Sequence, residues 1–291
     1  LYSKLDLTTM LVSEIPELEG IIGSYYIKKN KKISIGIREQ YKPKTVYDNI
    51  PKTKIGKILS LADKIDTIIG LLIINKFPTG SKDPYSIKRK IMGIIRIITE
   101  ANINFNIKKI LIISLKFFSK KDFQLFNKIY LYIKKKLENF LKYKKYNTKI
   151  LFSLKNTQNI NTTYKKLNAL SMFFSNKENM ILVTISSRIK NIIPKHFKTK
   201  TKINLDIIEI SIEKKLIKIY FGIKIINKEL YRKRKFSYYL YNCKKFEKYI
   251  DNLFENTKVL NENTKIKNNR IELLGNINNL ICKISDIYKL K

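Results

Sequence analysis

The apolar residues Ile55, Ile58, Leu59, Ala62, Ile65, Ile69 and Leu72 recur at three- and four-residue spacing, the period of an amphipathic helix that buries one face. The turn after it is Pro78-Thr79-Gly80-Ser81-Lys82, and Asp83 followed by Pro84 is a helix start signal. It pairs a carboxylate N-cap with a proline whose missing N–H costs nothing at the first helical position. A second helix is expected with Ile87, Ile91, Ile94, Ile95 and Ile98 on its apolar side and Lys88, Arg89 and Arg96 on a cationic side. Gly93 lies between the two, small enough for another backbone to come close. This helix–turn–helix pattern sets the expectation for the whole chain.

The same period runs through most of what surrounds it. Ser3 can cap a short helix carrying Leu7, Met10 and Leu11, and Pro16 should open another carrying Leu18, Ile21, Ile22 and Tyr25. Residues 33–41 read as a third helix, ended before Pro43. Further on, residues 107–118 and 123–143 alternate apolar and lysine positions at helical spacing, whereas 143–163 is rich in Asn, Lys and Thr, as a connector would be. The helical period returns with Leu167, Leu170, Met172, Phe173, Ile181, Val183 and Ile185, although 180–185 alone is β-branched enough to pass for a strand. Helices at 206–226, 243–255 and 267–288 complete an all-α expectation.

The 291 residues suffice for about two domains, and 44% hydrophobic content can give each a core. Sixty Lys and Arg against 23 Asp and Glu leave a net charge of +37, which favours polyanionic partners such as RNA. Ile, Lys and Asn dominate throughout, as in the product of an AT-rich gene, and such drift accounts for most of the excess charge. The sparse arginines Arg38, Arg89, Arg96, Arg188, Arg232, Arg234 and Arg270 are more telling, because a guanidinium grips phosphate at two points. Cys243 and Cys282 form neither a disulfide framework nor a metal knuckle, which suits a reducing compartment. No stretch reads as a signal peptide, and the longest apolar run, 68–74, is far short of the roughly 20 residues a bilayer requires. A soluble, cytoplasmic protein without a membrane partner is expected.

In order along the chain, Leu61-Ala62-Asp63-Lys64-Ile65-Asp66-Thr67, then Pro78-Thr79-Gly80-Ser81-Lys82-Asp83-Pro84, then an arginine-bearing helix resemble the beta subunit of the bacterial heterotetrameric glycyl-tRNA synthetase. The likeness begins at Lys4-Leu5-Asp6-Leu7-Thr8-Thr9-Met10 and at Glu17-Leu18-Glu19-Gly20-Ile21-Ile22-Gly23-Ser24-Tyr25-Tyr26, where Glu19 stands in place of the usual Gln. It returns at Ser187-Arg188-Ile189-Lys190-Asn191-Ile192, Asn269-Arg270-Ile271-Glu272-Leu273-Leu274 and Ser285-Asp286-Ile287, which are similar to the family's anticodon-binding helices. The resemblance implies a degenerate HD-like helical domain (1–102), a helical connector (103–163) and an anticodon-binding helical domain (164–291). It further implies an enzyme that joins glycine to its tRNA using ATP and magnesium, with the catalytic centre in a separate alpha subunit of an α2β2 heterotetramer. The beta chain would hold glycine tRNA and carry neither cofactor nor catalytic residue. Because Leu1 falls inside a region of likeness, the chain is expected to be the C-terminal part of a longer one.

HD-type phosphohydrolases need two histidines and two aspartates around a metal. The single histidine here is His196, which follows Pro194 and Lys195 in a basic stretch suited to a phosphate contact or a solvated side chain. Asp63 and Asp66 sit three apart on one helix, so both carboxylates can serve one group. They are expected to cap or to pair with Lys64, Arg89 or Arg96 across the helix packing. Without histidine partners they could hold at most a weakly bound hard cation such as magnesium, and no metal is expected. The Gly80-Ser81-Lys82 turn lacks the spacing of a phosphate loop. It can still offer backbone N–H groups and Lys82 to an RNA phosphate, with Arg89 on the helix behind it, or serve simply as a turn.

Tyr231-Arg232-Lys233-Arg234-Lys235-Phe236-Ser237-Tyr238-Tyr239-Leu240-Tyr241 interleaves aromatic rings with cations, the composition that stacks on unpaired bases and grips phosphate. The alternative is that Phe236, Tyr239 and Tyr241 pack inward and only the charges are wet. Arg188, Lys190 and Arg270 match the family's anticodon-binding motifs, while Arg188 can equally cover its helix and pair with Glu209 or Glu213. A general RNA-binding helical protein and an HD-type phosphohydrolase relic are the other two readings.

Overall fold

A computed structural model describes residues 3–27, 30–78, 83–118, 123–143, 146–154, 159–194, 197, 203–208 and 210–291. The fold is all-α: among the described residues there is no sheet, only single bridges between Asn106 and Asn159 and between Leu154 and Ser285. The chain divides into two compact units, Leu1–Lys144 with Gln158–Asn161, and Lys145–Thr157 with Thr162–Lys291.

The first unit runs through α1 (Met10–Glu14), α2 (Ile21–Tyr26), α3 (Lys31–Glu39), α4 (Lys54–Ile73), α5 (Ile87–Glu100), α6 (Ile107–Phe117) and α7 (Phe123–Tyr143), with 3₁₀ turns at Leu5–Thr8 and Pro16–Leu18. Neither of the first two expected helices is continuous. Thr9 breaks the first and caps α1 by accepting from the Val12 N–H. Gly20 breaks the second at φ 81°. That residue donates its N–H to the buried Asp6 carboxylate at 2.6 Å, and a Cβ there would lie 2.9 Å from the Tyr41 ring. A left-handed backbone in so tight a space needs glycine.

The buried face of α4 is turned from the expected stripe. It comprises Gly56, Ser60, Leu61, Lys64, Ile68, Ile69 and Leu72, while Ile55 and Ile58 are exposed. The cause is the packing of α3 on α4 at their small residues. A Cβ on Gly36 would meet Ile55 at 2.8 Å, and one on Gly56 would meet the Glu39 Cβ at 2.6 Å. Glu39, nearly buried at the end of α3, accepts from the N–H groups of Lys52 and Thr53 (2.9 and 3.0 Å) and from the Thr53 hydroxyl (2.5 Å). Thr53 in turn caps α4 through the Gly56 N–H.

Helix α5 buries Ile87, Ile91, Ile94, Ile95 and Ile98 as its spacing indicates, each isoleucine contributing about 1.5–3 kcal/mol of transfer free energy. Its start differs: Pro84 is not the first helical residue, and the N-cap is Ser86 in the left-handed region. Asp83 reaches over from upstream to accept from the Ile87 and Lys88 N–H groups at 2.8 and 2.9 Å. The space at Gly93 is filled by a side chain rather than a backbone, since a Cβ there would meet the Lys64 Cε at 3.0 Å.

The second unit holds α8 (Thr148–Ser153), α9 (Ile160–Phe174, from Thr162 onward), α10 (Ile181–Ile192), α11 (Ser211–Arg232), α12 (Phe236–Lys244), α13 (Glu247–Asn256) and α14 (Thr264–Ile281), with 3₁₀ turns at Lys177–Met180 and Ile287–Leu290. Helix α10, the strand-ambiguous stretch, is the central element and packs on α12, α13 and α14. Leu182, Val183, Ile185 and Ile189 are its buried residues. The Asn-rich segment 143–163 carries a helix, α8, inside the expected connector. The Ser153 hydroxyl lies 2.6 Å from that of Ser285, and the Asp286 N–H donates to the Ser153 carbonyl. Helix α11 begins at Ser211 rather than near Asp206, α13 occupies the expected helix at 243–255, and α12 is an additional helix formed by the end of the basic aromatic segment. Cys243 and Cys282 are buried free thiols. No described helix is long and apolar enough to cross a membrane.

Candidate nucleic-acid interface

In the first unit, a cleft of about 880 Å³ is lined by residues including Lys4, Glu19, Tyr41, Lys44, Asp63, Lys64, Asp66, Arg89 and Lys90. Asp63 does not take the partners its spacing suggests. Its carboxylate pairs with Lys4 at 2.6 Å, while Arg96 turns away to Glu100 and to the Val46 carbonyl. A cation at Asp63 would have to displace the Lys4 ammonium. Among the described residues no group of three or more His, Cys, Asp or Glu is placed to hold a metal. His196 lies outside the described residues.

The buried lysine of this cleft, Lys64, has no signal in a simple apolar count. Its Nζ donates to the carbonyls of Gln40, Tyr41 and Lys42 (3.4, 3.3 and 3.0 Å) and to the Ser60 hydroxyl (2.8 Å). Burial pushes its pKa down to about 8, since desolvation disfavours the charged form. The line Gly56, Ser60, Lys64 at four-residue spacing was the legible clue: small and polar positions in register mark a helix face pressed against backbone. Arg89, an expected RNA contact, lines the same cleft and donates to the Ser86 hydroxyl at 2.5 Å. Lys82 lies outside the described residues.

The expected contacts in the second unit separate into exposed and buried groups. Arg270 is 4% exposed. It pairs with the buried Glu213 and donates to the Lys258 carbonyl at 2.9 Å, so it belongs to the core and presents no guanidinium to RNA. The reason is positional: the buried side of α14 includes Ile266, Arg270, Leu273, Leu274 and Ile277, and Glu213 in the first turn of α11 supplies the countercharge.

Arg188 is half exposed. It pairs with Asp251 on α13 at 2.8 Å, not with Glu213, and covers the Phe254 ring at 4.5 Å; Glu209, the other expected partner, lies outside the described residues. Lys190 is exposed and sits 3.4 Å from the centroid of Tyr288.

The basic aromatic segment lies at the turn between α11 and α12. Arg234 adopts φ 57° there, which reverses the chain and sends Phe236 and Tyr239 into the core while Tyr238 and Tyr241 stay exposed. Inward packing therefore applies to Phe236 and Tyr239 and fails for Tyr241. Arg232 and Lys233 are exposed and share Glu229 at 3.1 and 3.7 Å. Surface pairs of this kind are worth little and exchange readily. Tyr231 is half-buried, edge-on to Phe236 at 5.6 Å, and its hydroxyl accepts from Lys166 at 3.1 Å. Lys166 and Lys283, both against the Tyr231 ring, were invisible to motif reading, because they join it from α9 and from beyond α14.

Residues 1–154 match the family model described as glycyl-tRNA synthetase beta subunit. Over 297 residues the chain is 38% identical to the glycine–tRNA ligase beta subunit of Buchnera aphidicola from Schizaphis graminum, covering 98% of this chain and 42% of the relative. It is 35% identical to the protein of that name from Sulfurihydrogenibium sp. (99% and 41%), and 30% identical to that from Thermodesulfovibrio yellowstonii (99% and 43%). The chain thus spans about two fifths of the length of these curated relatives.

Proposed function

The chain belongs to the glycyl-tRNA synthetase beta subunit family, and from that premise we propose that it binds and orients glycine tRNA for aminoacylation at the active site of a separate alpha subunit. The reaction consumes ATP with magnesium at that other centre, in a cytoplasmic α2β2 assembly, and this chain supplies binding energy and orientation. In this reading residues 1–102 form a degenerate HD-like domain, 103–163 a helical connector and 164–291 an anticodon-binding domain.

The observation that supports it best is the α11–α12 turn, where exposed Arg232, Lys233 and Lys235 stand beside exposed Tyr238 and Tyr241. Cations there can follow a phosphate backbone while rings stack on splayed bases. Arg232 and Lys233 are the pair to test, because alanine at Arg234 would add strain at its left-handed φ. The double variant Arg232→Ala, Lys233→Ala should bind glycine tRNA more weakly and flatten the salt dependence. Each lost phosphate contact removes about 0.7 to 0.9 from the log–log slope. An unchanged slope removes the turn from the interface, and equal affinity of the wild type for unrelated tRNAs reduces the protein to a general RNA binder.

A further inference from the structure

Lys166 on α9 is 1% exposed, and among the described residues no carboxylate pairs with it. Its Nζ reaches the Tyr231 hydroxyl at 3.1 Å and faces the rings of Tyr231 and Phe236 at 5.1 and 5.7 Å. A buried ammonium without a countercharge is costly, and ring faces with one phenol oxygen offset only part of that cost. Two consequences follow from elementary hydrogen-bond chemistry. An ammonium can only donate, so Lys166 occupies a lone pair of the Tyr231 oxygen and leaves the phenol proton for another acceptor. The charge behind that phenol is also poorly screened, because it lies inside the protein.

The outer surroundings of Tyr231 are cationic as well. Exposed Lys283 stands 5.0 Å from its ring centroid, and the nearby acid in sequence, Glu229, is already engaged by Arg232 and Lys233. A phenol proton left for another acceptor, with one lysine at its oxygen and another over its ring, suits an oxyanion. We propose that the Tyr231 hydroxyl, flanked by Lys283, donates to a phosphodiester oxygen of bound RNA, and that Lys166 is the positioning residue that fixes the phenol for this contact. The inference rests on the RNA-binding reading above and adds to it a defined contact and two residues, Lys166 and Lys283, outside any recognisable motif. Lys166 acts through Tyr231, whereas Lys283 meets the phosphate as a point charge.

The test measures equilibrium binding of two probes, glycine tRNA and a single-stranded uridine decamer, to the whole chain and its variants. Tyr231→Phe keeps the ring and removes the hydroxyl, and should weaken both probes about tenfold, the low end for a hydrogen bond to a charged group. Its salt slope should stay that of the wild type, since no cation is lost. Lys283→Met should flatten the slope by about 0.7 for the single strand. Lys166→Met should weaken binding by about as much as Tyr231→Phe. In the Lys166→Met background, Tyr231→Phe should then cost less than about twofold, because the two act on one contact.

A purely structural Lys166 would instead give losses that multiply, and that result overturns the positioning role. Tyr231→Phe binding both probes as tightly as the wild type, with an unchanged thermal midpoint, overturns the contact itself. If the wild type fails to prefer glycine tRNA while Tyr231→Phe still weakens the decamer, the functional proposal falls and the phosphate contact stands.

Discussion

Replacing Arg270 by alanine should disable this protein through its stability and not through a lost RNA contact. Arg270 and Glu213 are 4% and 5% exposed at their side chains. Removing the guanidinium strands a carboxylate in the interior and takes the charged donor from the Lys258 carbonyl. An uncompensated buried charge of this kind costs about 3–5 kcal/mol after relaxation, a large share of the roughly 5–15 kcal/mol that holds a domain folded. With a urea m-value of about 2 kcal/mol/M, the unfolding midpoint of the second unit should fall by about 2 M. Helical circular dichroism against urea measures it. The paired change Arg270→Met, Glu213→Leu removes both charges and should recover most of the loss, since apolar replacements of buried ion pairs are often neutral or better. If Arg270→Ala leaves the midpoint within about 0.3 M and lowers glycine tRNA affinity more than about tenfold, the guanidinium is an RNA contact and the core assignment is wrong.

Glu39 should make the first unit acid-sensitive. Burial alone would raise its carboxyl pKa, but hydrogen bonds from the Thr53 hydroxyl and from the Lys52 and Thr53 N–H groups outweigh that and hold it below 4.5. A depressed folded pKa means stabilisation present above the unfolded value and lost as pH falls through the folded one. The urea midpoint of the wild type should therefore drop relative to Glu39→Gln as pH falls below about 4.5; parallel profiles would show that the carboxylate contributes nothing there. Gly56 and Gly222, both within helices, should respond oppositely to alanine. At Gly56 a Cβ would lie 2.6 Å from that of Glu39, so overpacking of about 1–3 kcal/mol dominates. At Gly222 nothing lies within 4 Å, so helix propensity should add about 1 kcal/mol. Thermal midpoints moving in the same direction would refute the packing argument.

Periodicity was most legible where one helix face is uniformly apolar. The spans 107–118 and 123–143 differ little from α6 (Ile107–Phe117) and α7 (Phe123–Tyr143), and the buried isoleucines of α5 are those its spacing selects. It misled on α4, because the face that packs on α3 is made of Gly56, Ser60 and Lys64, residues chosen for close approach and hydrogen bonding rather than hydrophobicity. The break at Gly20 was equally hidden, since it depends on Asp6 and Tyr41 arriving from either side.

What the residues alone determined is the helical class, the family, and a basic aromatic stretch around Tyr231, because each is written in local spacing and order. Only the folded chain decided which cations remain available. Arg270 and Arg232 are the same side chain in a string of letters. A carboxylate 57 positions away in the sequence draws the first into the core, while the second, with the nearby Glu229, stays 74% exposed at a helix end. Burial and countercharge are properties of neighbours brought together by packing, and no local pattern contains them.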